Sequence, residues 1–380
     1  MSRLSPRASE LLRAVHANPG LTRADAARLI GIGTGATTEL VARLSAAELL
    51  GERPATRSGG RGRPTTVLVP HPAGPLVAAV SITYEAWRVD VVELGGATVA
   101  TAGGEHDQPG GGDQVVRSVG AAVARLRRRL GGRRIRGIGI AVPGIVSHGL
   151  LREASNLDWY EVDLTRAWPS AEVFVAGNDA TLAASAESRR GAAVGASVAL
   201  HLRVDGGLGG AVVAAGRMLA GAGGVGGEFG HMPFGDPAVG CTCGAFGCWG
   251  TAVDGSALAR LLGQRVPRDS VSYARRIIQL ATGPGRPDEA RAVQAVATAL
   301  GRGVAGLVNG LDPDLVTLGG LGVDLLEAAP EAIEAAYRGG LMSFRRSDPP
   351  PVIAATLGED GPIAGAAEEA WARLLTRLPT

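Results

Sequence analysis

The chain contains no lysine: all 38 of its basic residues are arginine. A phosphate loop of the GxxxxGK[ST] kind needs its lysine, so that nucleotide site is excluded. Schiff-base chemistry, including that of pyridoxal phosphate enzymes, is excluded for the same reason. Aromatic residues are scarce, at 4%, so Ala, Val and Leu must build the core. No run of 18 apolar residues is present, which argues against a membrane span. The start, Met1 to Val15, lacks the uninterrupted apolar stretch of a signal peptide, and a cytoplasmic location is expected. Cysteine is limited to three residues.

The 380 residues, 46% of them apolar, suffice for two or three domains and a large core. Glycine is abundant at 58 residues, but without the G-X-Y period of collagen. The net charge of +2 is unevenly spread: residues 1–70 hold ten arginines and five acids. A basic head on a slightly acidic body suggests a nucleic-acid reader joined to something else.

Ser5-Pro6 is a helix start, and Leu4, Ala8, Leu11, Leu12 and Val15 recur at helical spacing. Asn18-Pro19-Gly20 ends that helix. Thr22 to Asp25 has the form of a capping box, with Asp in place of Glu. Gly31-Ile32-Gly33 then separates a short second helix from a third, expected over Thr34 to Ala46. This is the helix-turn-helix pattern. Two strands, near Leu49 to Glu52 and Thr65 to Val69, flank an arginine-rich loop and suggest the wing of a winged helix. The expected DNA contacts are Thr34, Thr37, Thr38 and Arg43 on the third helix and Arg57, Arg61 and Arg63 in the wing. The helix offers no Arg, Asn or Gln in its first turns, so bidentate base readout is poor. Threonine methyls and wing guanidiniums in a minor groove must carry specificity. The alternative is a small helical dimerisation module.

Residues 71–75 read as a stiff Pro-rich linker. Beyond it, three strands (Leu76 to Ile82, Trp87 to Leu94, Ala97 to Gly103), a helix and a buried strand (Ile135 to Val142) are expected. A strand at Val173 to Ala176 leads to Asn178-Asp179 and a helix. The pattern repeats from Ser197, which suggests two related α/β lobes around a cleft.

The three cysteines form the run Cys241-Thr242-Cys243-Gly244-Ala245-Phe246-Gly247-Cys248, ten residues after His231. Clustered cysteines in a cytosolic chain point to metal rather than disulfide. Three Cys and one His make a closed tetrahedral set for structural zinc. Gly240, Gly244 and Gly247 are read as allowing the sharp turns.

Gly227-Glu228-Phe229-Gly230-His231 followed by this cysteine run resembles the signature of the ROK family of repressors, open reading frames and sugar kinases. Gly137 to Gly144, Asn156-Leu157-Asp158-Trp159, Gly177-Asn178-Asp179-Ala180 and Leu311 to Gly320 are similar to further family stretches. The resemblance implies an actin-like, RNase H-like two-lobed body behind a winged helix-turn-helix of residues 1–70. The small lobe is expected over 76–177 with the C-terminal helix 362–378. The large lobe is expected over 178–361, with a zinc loop at 231–248. It also implies a sugar cleft lined by Asn156, Asn178, Asp179, Glu228 and His231, with Asp179 in the base position of the kinases. His231 is expected to hold zinc with one ring nitrogen and face the ligand with the other. The family's Asp-x-Gly-Gly-Thr turn is replaced here by Ser81-Ile82-Thr83-Tyr84-Glu85, and its second phosphate loop reads Asp205-Gly206-Gly207. A carboxylate where phosphates should lie is unfavourable, so ATP chemistry is expected to be lost. Gly250 stands where the family has a sugar-binding Glu, which removes a partner for a sugar hydroxyl and is expected to open space.

The leading reading is a transcriptional regulator, a repressor of carbohydrate genes. It would bind an inverted repeat in double-stranded DNA as a homodimer or tetramer and respond to a sugar or sugar derivative. Alternatives are an active sugar kinase and a ligand-independent DNA-binding protein with a vestigial cleft. Locally, Asp179 could be a helix cap, Glu228 plain surface, and Trp159 and Trp249 packing residues.

Overall fold

The head begins with α1 (Pro6–Ala17), whose first turn is capped by the Ser5 hydroxyl accepting from the Ala8 amide. In α2 (Arg23–Ile30) the Thr22 hydroxyl accepts from the Asp25 amide at 3.1 Å, and Gly31 closes the helix at φ +67°. α3 (Thr34–Ala46) follows, then β1 (Leu50–Pro54) paired antiparallel with β2 (Thr66–Pro70). This computed structural model describes residues 4–55, 66–106, 111–155 and 157–379. The wing arginines Arg57, Arg61 and Arg63, and Asn156, lie outside them.

The first lobe contains β3 (Leu76–Ile82), β4 (Ala86–Glu93), β5 (Thr98–Glu105), α4 (Gly112–Arg129) and β6 (Ile135–Val142). A small sheet of β7 (Ile145–Ser147), β8 (Leu150–Ala154) and β9 (Trp159–Asp163) comes next, then β10 (Val173–Asn178). α5 (Asp179–Arg190) leads into β11 (Val198–Val204), β12 (Leu208–Ala214) and β13 (Arg217–Met218). The second lobe continues with α6 (Gly250–Val253), α7 (Gly255–Leu261), α8 (Ser270–Ala281), α9 (Pro287–Leu311) and β14 (Leu315–Gly320). α10 (Leu321–Ala328), α11 (Pro330–Gly340), β15 (Val352–Ala354) and α12 (Gly361–Leu374) complete the chain.

The two main sheets have one design. The first is ordered β10-β6-β3-β4-β5 and the second β15-β14-β11-β12-β13. In each, an antiparallel meander is extended by two parallel strands. This is the duplicated α/β architecture of actin-like kinases, carried behind a helical head. The central strands β3 and β6 are short, almost wholly buried apolar runs, as a sheet covered on both faces requires, whereas the edge strand β5 is mostly exposed.

α12 returns from the second lobe to lie on the first sheet. Gly139 on β6 leaves no room for a Cβ against the Ala366 carbonyl. The far end of the chain then enters the head. Leu11, Leu12 and Val15 of α1 and Leu40 and Leu44 of α3 share one apolar cluster with Val77, Trp371, Leu374 and Leu378. Full burial of each such leucine is worth about 1.5–3 kcal/mol. Residues 71–75 are therefore no free tether: Arg134 Nε donates to the Gly74 carbonyl at 3.1 Å, and the Leu4 amide donates to Leu378 at 3.3 Å.

The β7–β9 sheet was not expected from the sequence. Its strands are short, and its hairpin turn is His148-Gly149, both at positive φ (+53° and +82°), as a two-residue type I′ turn requires.

Candidate metal centre and interlobe cleft

His231 and the three cysteines converge in a loop braced by its own backbone hydrogen bonds. The Cys241 amide donates to the Ala245 carbonyl at 2.8 Å, and the Gly244 amide donates to Cys241 at 3.0 Å. Gly244 and Gly247 take positive φ (+88° and +71°), which favours glycine. Gly240, grouped with them on sequence, does not; it pairs with Phe246 in an extended bridge.

The four ligand atoms of His231, Cys241, Cys243 and Cys248 all lie within 4.8 Å of one another. Sγ of Cys243 and Cys248 are 3.7 Å apart, and Cys241 Sγ is 3.8 Å from His231 Nδ1. A tetrahedron with metal–sulfur distances of about 2.3 Å has edges of about 3.8 Å, so the donor set fits a metal ion. Burial and then the neighbouring thiols push the Cys248 thiol up to about 12. Three thiolates this close need a cation. His231 turns Nδ1 to the cysteines and leaves Nε2 3.8 Å from a Glu228 oxygen.

Glu228 and Asp179 face the same space. Burial raises the Glu228 carboxyl, His231 lowers it and Asp179 raises it again. Burial raises Asp179 too, against the pull of Arg203. Asp179 Oδ1 accepts from the Ala180 amide at 2.9 Å, but Asp179 is the first residue of α5 and not its N-cap. That role falls to Asn178, whose side-chain oxygen accepts from the amides of Ala180 (2.9 Å) and Thr181 (3.2 Å). Asn178 Nδ2 donates to the Gly144 carbonyl at 3.1 Å, leaving one N–H free for anything else. The cleft side of α5 is thus pinned to the turn after β6.

The expectation of space at Gly250 is corrected. Gly250 is buried, and a Cβ there would meet the Leu208 nitrogen at 3.3 Å and the Gly230 oxygen at 3.4 Å. The backbone has closed around it. Trp159 and Trp249 are also buried, and Trp249 Nε1 donates to the Ala299 carbonyl at 3.0 Å. Both are packing residues.

Near Asp179 the two lobes are bridged by the chain's own side chains. The β3–β4 turn is closed by the Thr83 amide donating to Ala86 at 2.8 Å. It carries the Tyr84 phenol onto Gly206 of the opposite lobe, where an added Cβ would lie 2.7 Å from the hydroxyl. Beside it, buried Arg203 donates to Asp205 at 2.5 Å, to the Gly358 carbonyl at 3.2 Å and to Glu359 at 2.7 Å. Arg275 pairs with Glu359 as well. Asp205 reaches the first turn of α10, 2.5 Å from where Gly320 would carry a Cβ. Burial pushes the Asp205 carboxyl up to about 6, with Arg203 pulling it down and Asp179 and Glu359 pushing it up. Arg203 escaped the sequence reading, although a charge inside the apolar run Val198 to Val204 was the available signal.

On the head, Thr34, Thr38 and Arg43 are exposed along α3. Thr37 is not a surface residue as expected. It is 1% exposed and its hydroxyl donates to the Gly33 carbonyl at 3.0 Å, because it lies on the helix face packed toward the head's core.

The glucokinase of Streptomyces coelicolor is 28% identical over 278 residues, spanning 67% of this chain and 86% of that protein. The xylose repressor of Caldicellulosiruptor bescii is 32% identical over 201 residues, 49% of this chain and 50% of the repressor. A crystal structure described as a ROK family transcriptional regulator, homologue of the E. coli MLC protein, superposes with a TM-score of 0.76. It covers 97% of this chain and 96% of that one at 20% identity, a likeness of fold. The ROK family model matches residues 94–373, most of the chain, and the protein belongs to the ROK family.

Proposed function

We propose that the protein is a DNA-binding transcriptional regulator, a repressor of carbohydrate genes, whose kinase-like body binds a sugar or sugar derivative without phosphorylating it. The observation that carries this reading is the single core shared by the helical head and the body. A DNA reader built into the same packing as a ligand cleft is the arrangement a ligand-responsive regulator needs. The repressor and regulator relatives support it, and the fold likeness that extends over the head adds to it.

The head acts as a winged helix. Thr34, Thr38 and Arg43 face the major groove, and Arg57, Arg61 and Arg63 reach phosphates or a minor groove. As a homodimer or tetramer, two heads read an inverted repeat. Asp179 accepts from a sugar hydroxyl, with Glu228, His231 and Asn156 around the ring and Asn178 chiefly positioning. Zinc at His231, Cys241, Cys243 and Cys248 is structural: it closes the loop and fixes His231 for the ligand, with no open position for catalysis. Replacing Arg61 and Arg63 by Ala is expected to weaken DNA binding and lower the salt dependence by about two phosphate contacts.

The kinase reading keeps one observation in its favour, the Asn178-Asp179 step beside Glu228, together with the glucokinase relatives. A coupled assay for ADP release over a panel of hexoses separates the two. A regulator releases none while holding DNA fragments. Sustained, sugar-dependent ADP release overturns the proposal.

A further inference from the structure

At the junction of head and body lies a buried charged cluster that neither the cleft nor the DNA face uses. Arg190, the last residue of α5, donates from Nη2 to the His16 carbonyl at 3.0 Å and from Nη1 to the Gly95 carbonyl at 3.1 Å. Its Nε pairs with Glu368 on α12. The Gly95 amide donates to His16 Nδ1 at 3.0 Å. His16 Nε2 lies 3.2 Å from Glu368 Oε2 and 3.1 Å from Arg190 Nη2. The His16 ring rests on Trp371, centroids 5.5 Å apart. His16 belongs to α1, so the end of α5 grips the DNA-binding head.

The beginning of the same helix is the cleft. Asn178 caps it and Asp179 is its first residue. From Asp179 to Arg190 the helix spans about 16 Å. Along that length it is fastened to α12: Ser185 Oγ and Arg189 both donate to Glu369, at 2.7 and 2.8 Å. Gly365 of α12 leaves no room for a Cβ over the Leu182 carbonyl. Buried Glu187 accepts from the Leu357 amide at 2.8 Å, on the segment that returns the chain to α12. On its other side Ala184 packs on Ala211 and Val213 of the second lobe.

We propose that α5 is the rod coupling the cleft to the head, with Arg190 and His16 as its grip. The inference rests on the regulator reading for its purpose and names the route by which that cleft is regulated. A displacement of the second lobe moves α5, α5 moves with α12, and the Arg190 guanidinium carries the shift to His16. Coupling of this kind is reciprocal, so a change at either end is felt at the other.

The test is hydrogen exchange read by mass spectrometry on the full chain. Asn178→Ala removes the cap at the cleft end. Peptides covering the last turn of α1 and residues 94–97 are expected to exchange about fivefold faster, the equilibrium factor of a lost N-cap, while α9 stays at the wild-type rate. His16→Leu is expected to speed exchange in the first turn of α5. If H16L fails to fold, Arg190→Lys replaces it. Lysine keeps a charge on Glu368 but cannot reach both carbonyls as a planar fork does. Effects confined to the altered end, or spread equally over α9, overturn the proposal. Retention of DNA by the wild type is measured alongside. If none is retained the regulator reading falls, while the exchange result still decides whether α5 couples the two ends.

Discussion

The two ends of the cleft have diverged. At one end His231, Glu228 and Asp179 surround a space beside a four-ligand cluster, and their polar atoms keep capacity for a partner. At the other end the chain has become its own ligand. Tyr84 covers Gly206, and Arg203 donates to both Asp205 and Glu359. A ligand site must leave donors and acceptors unspent, and a closed ion network has spent them. The difference teaches that one part of a duplicated fold can keep polar groups available while another part spends them on internal pairs.

The largest effect is expected at the metal end. Cys243→Ser should lose the zinc proposed at this cluster and on the order of 5 kcal/mol of local stability, a fraction of what structural zinc supplies in metal-folded domains. Metal content per chain and a melting curve check this. A fully folded, metal-free variant with an unchanged melt would break the account of this end.

Next comes Arg203→Met. It leaves the largely buried Asp205 without its cation, and about 3 kcal/mol is expected to go, as for a buried pair that loses one partner, while the exposed Glu359 keeps Arg275. Replacing Arg203 and Asp205 together by Met and Leu should recover most of it in denaturant titrations. A single variant as stable as wild type would mean that the network does not hold this end shut.

A smaller, pH-dependent effect follows from Asp205. Its folded value of about 6 lies above the ordinary 3.8. Between these values the folded chain keeps a proton that the unfolded chain has released. This group's contribution to stability therefore falls as pH rises from about 4 to about 6, by roughly 1–3 kcal/mol. Asp205→Asn should flatten that slope; parallel pH profiles would remove Asp205 from the account. Tyr84→Phe is the smallest change, within about 1 kcal/mol. It should leave ATP affinity weaker than about 1 mM in calorimetry, because the ion network remains.

Much of the fold was legible because its signals are local. Ile135–Val142 and Thr34–Ala46 form the strand and helix their periodicity demanded. The convergence of His231 with the cysteines was legible for the same reason, since three thiols within eight residues are close in space by chain connectivity alone. What escaped depends on distant neighbours. Thr37 and Thr38 look alike in sequence, and only the packing of α3 decides which faces out. Gly250 looked like a vacancy until the backbone of Leu208 and Gly230 was seen to close on it. The joint core of head and body, and the grip of Arg190 on His16, link residues far apart in the chain, and no spacing rule reaches them.

The most direct measurement is capture of genomic DNA. Purified, zinc-replete protein is mixed with sheared DNA from its own source at moderate salt, and the retained fragments are sequenced. A sequence-specific regulator predicts fragments that converge on one inverted repeat, beside genes whose products handle the sugar to be tested in the cleft. Fragments without a shared motif, or none retained, would contradict the account.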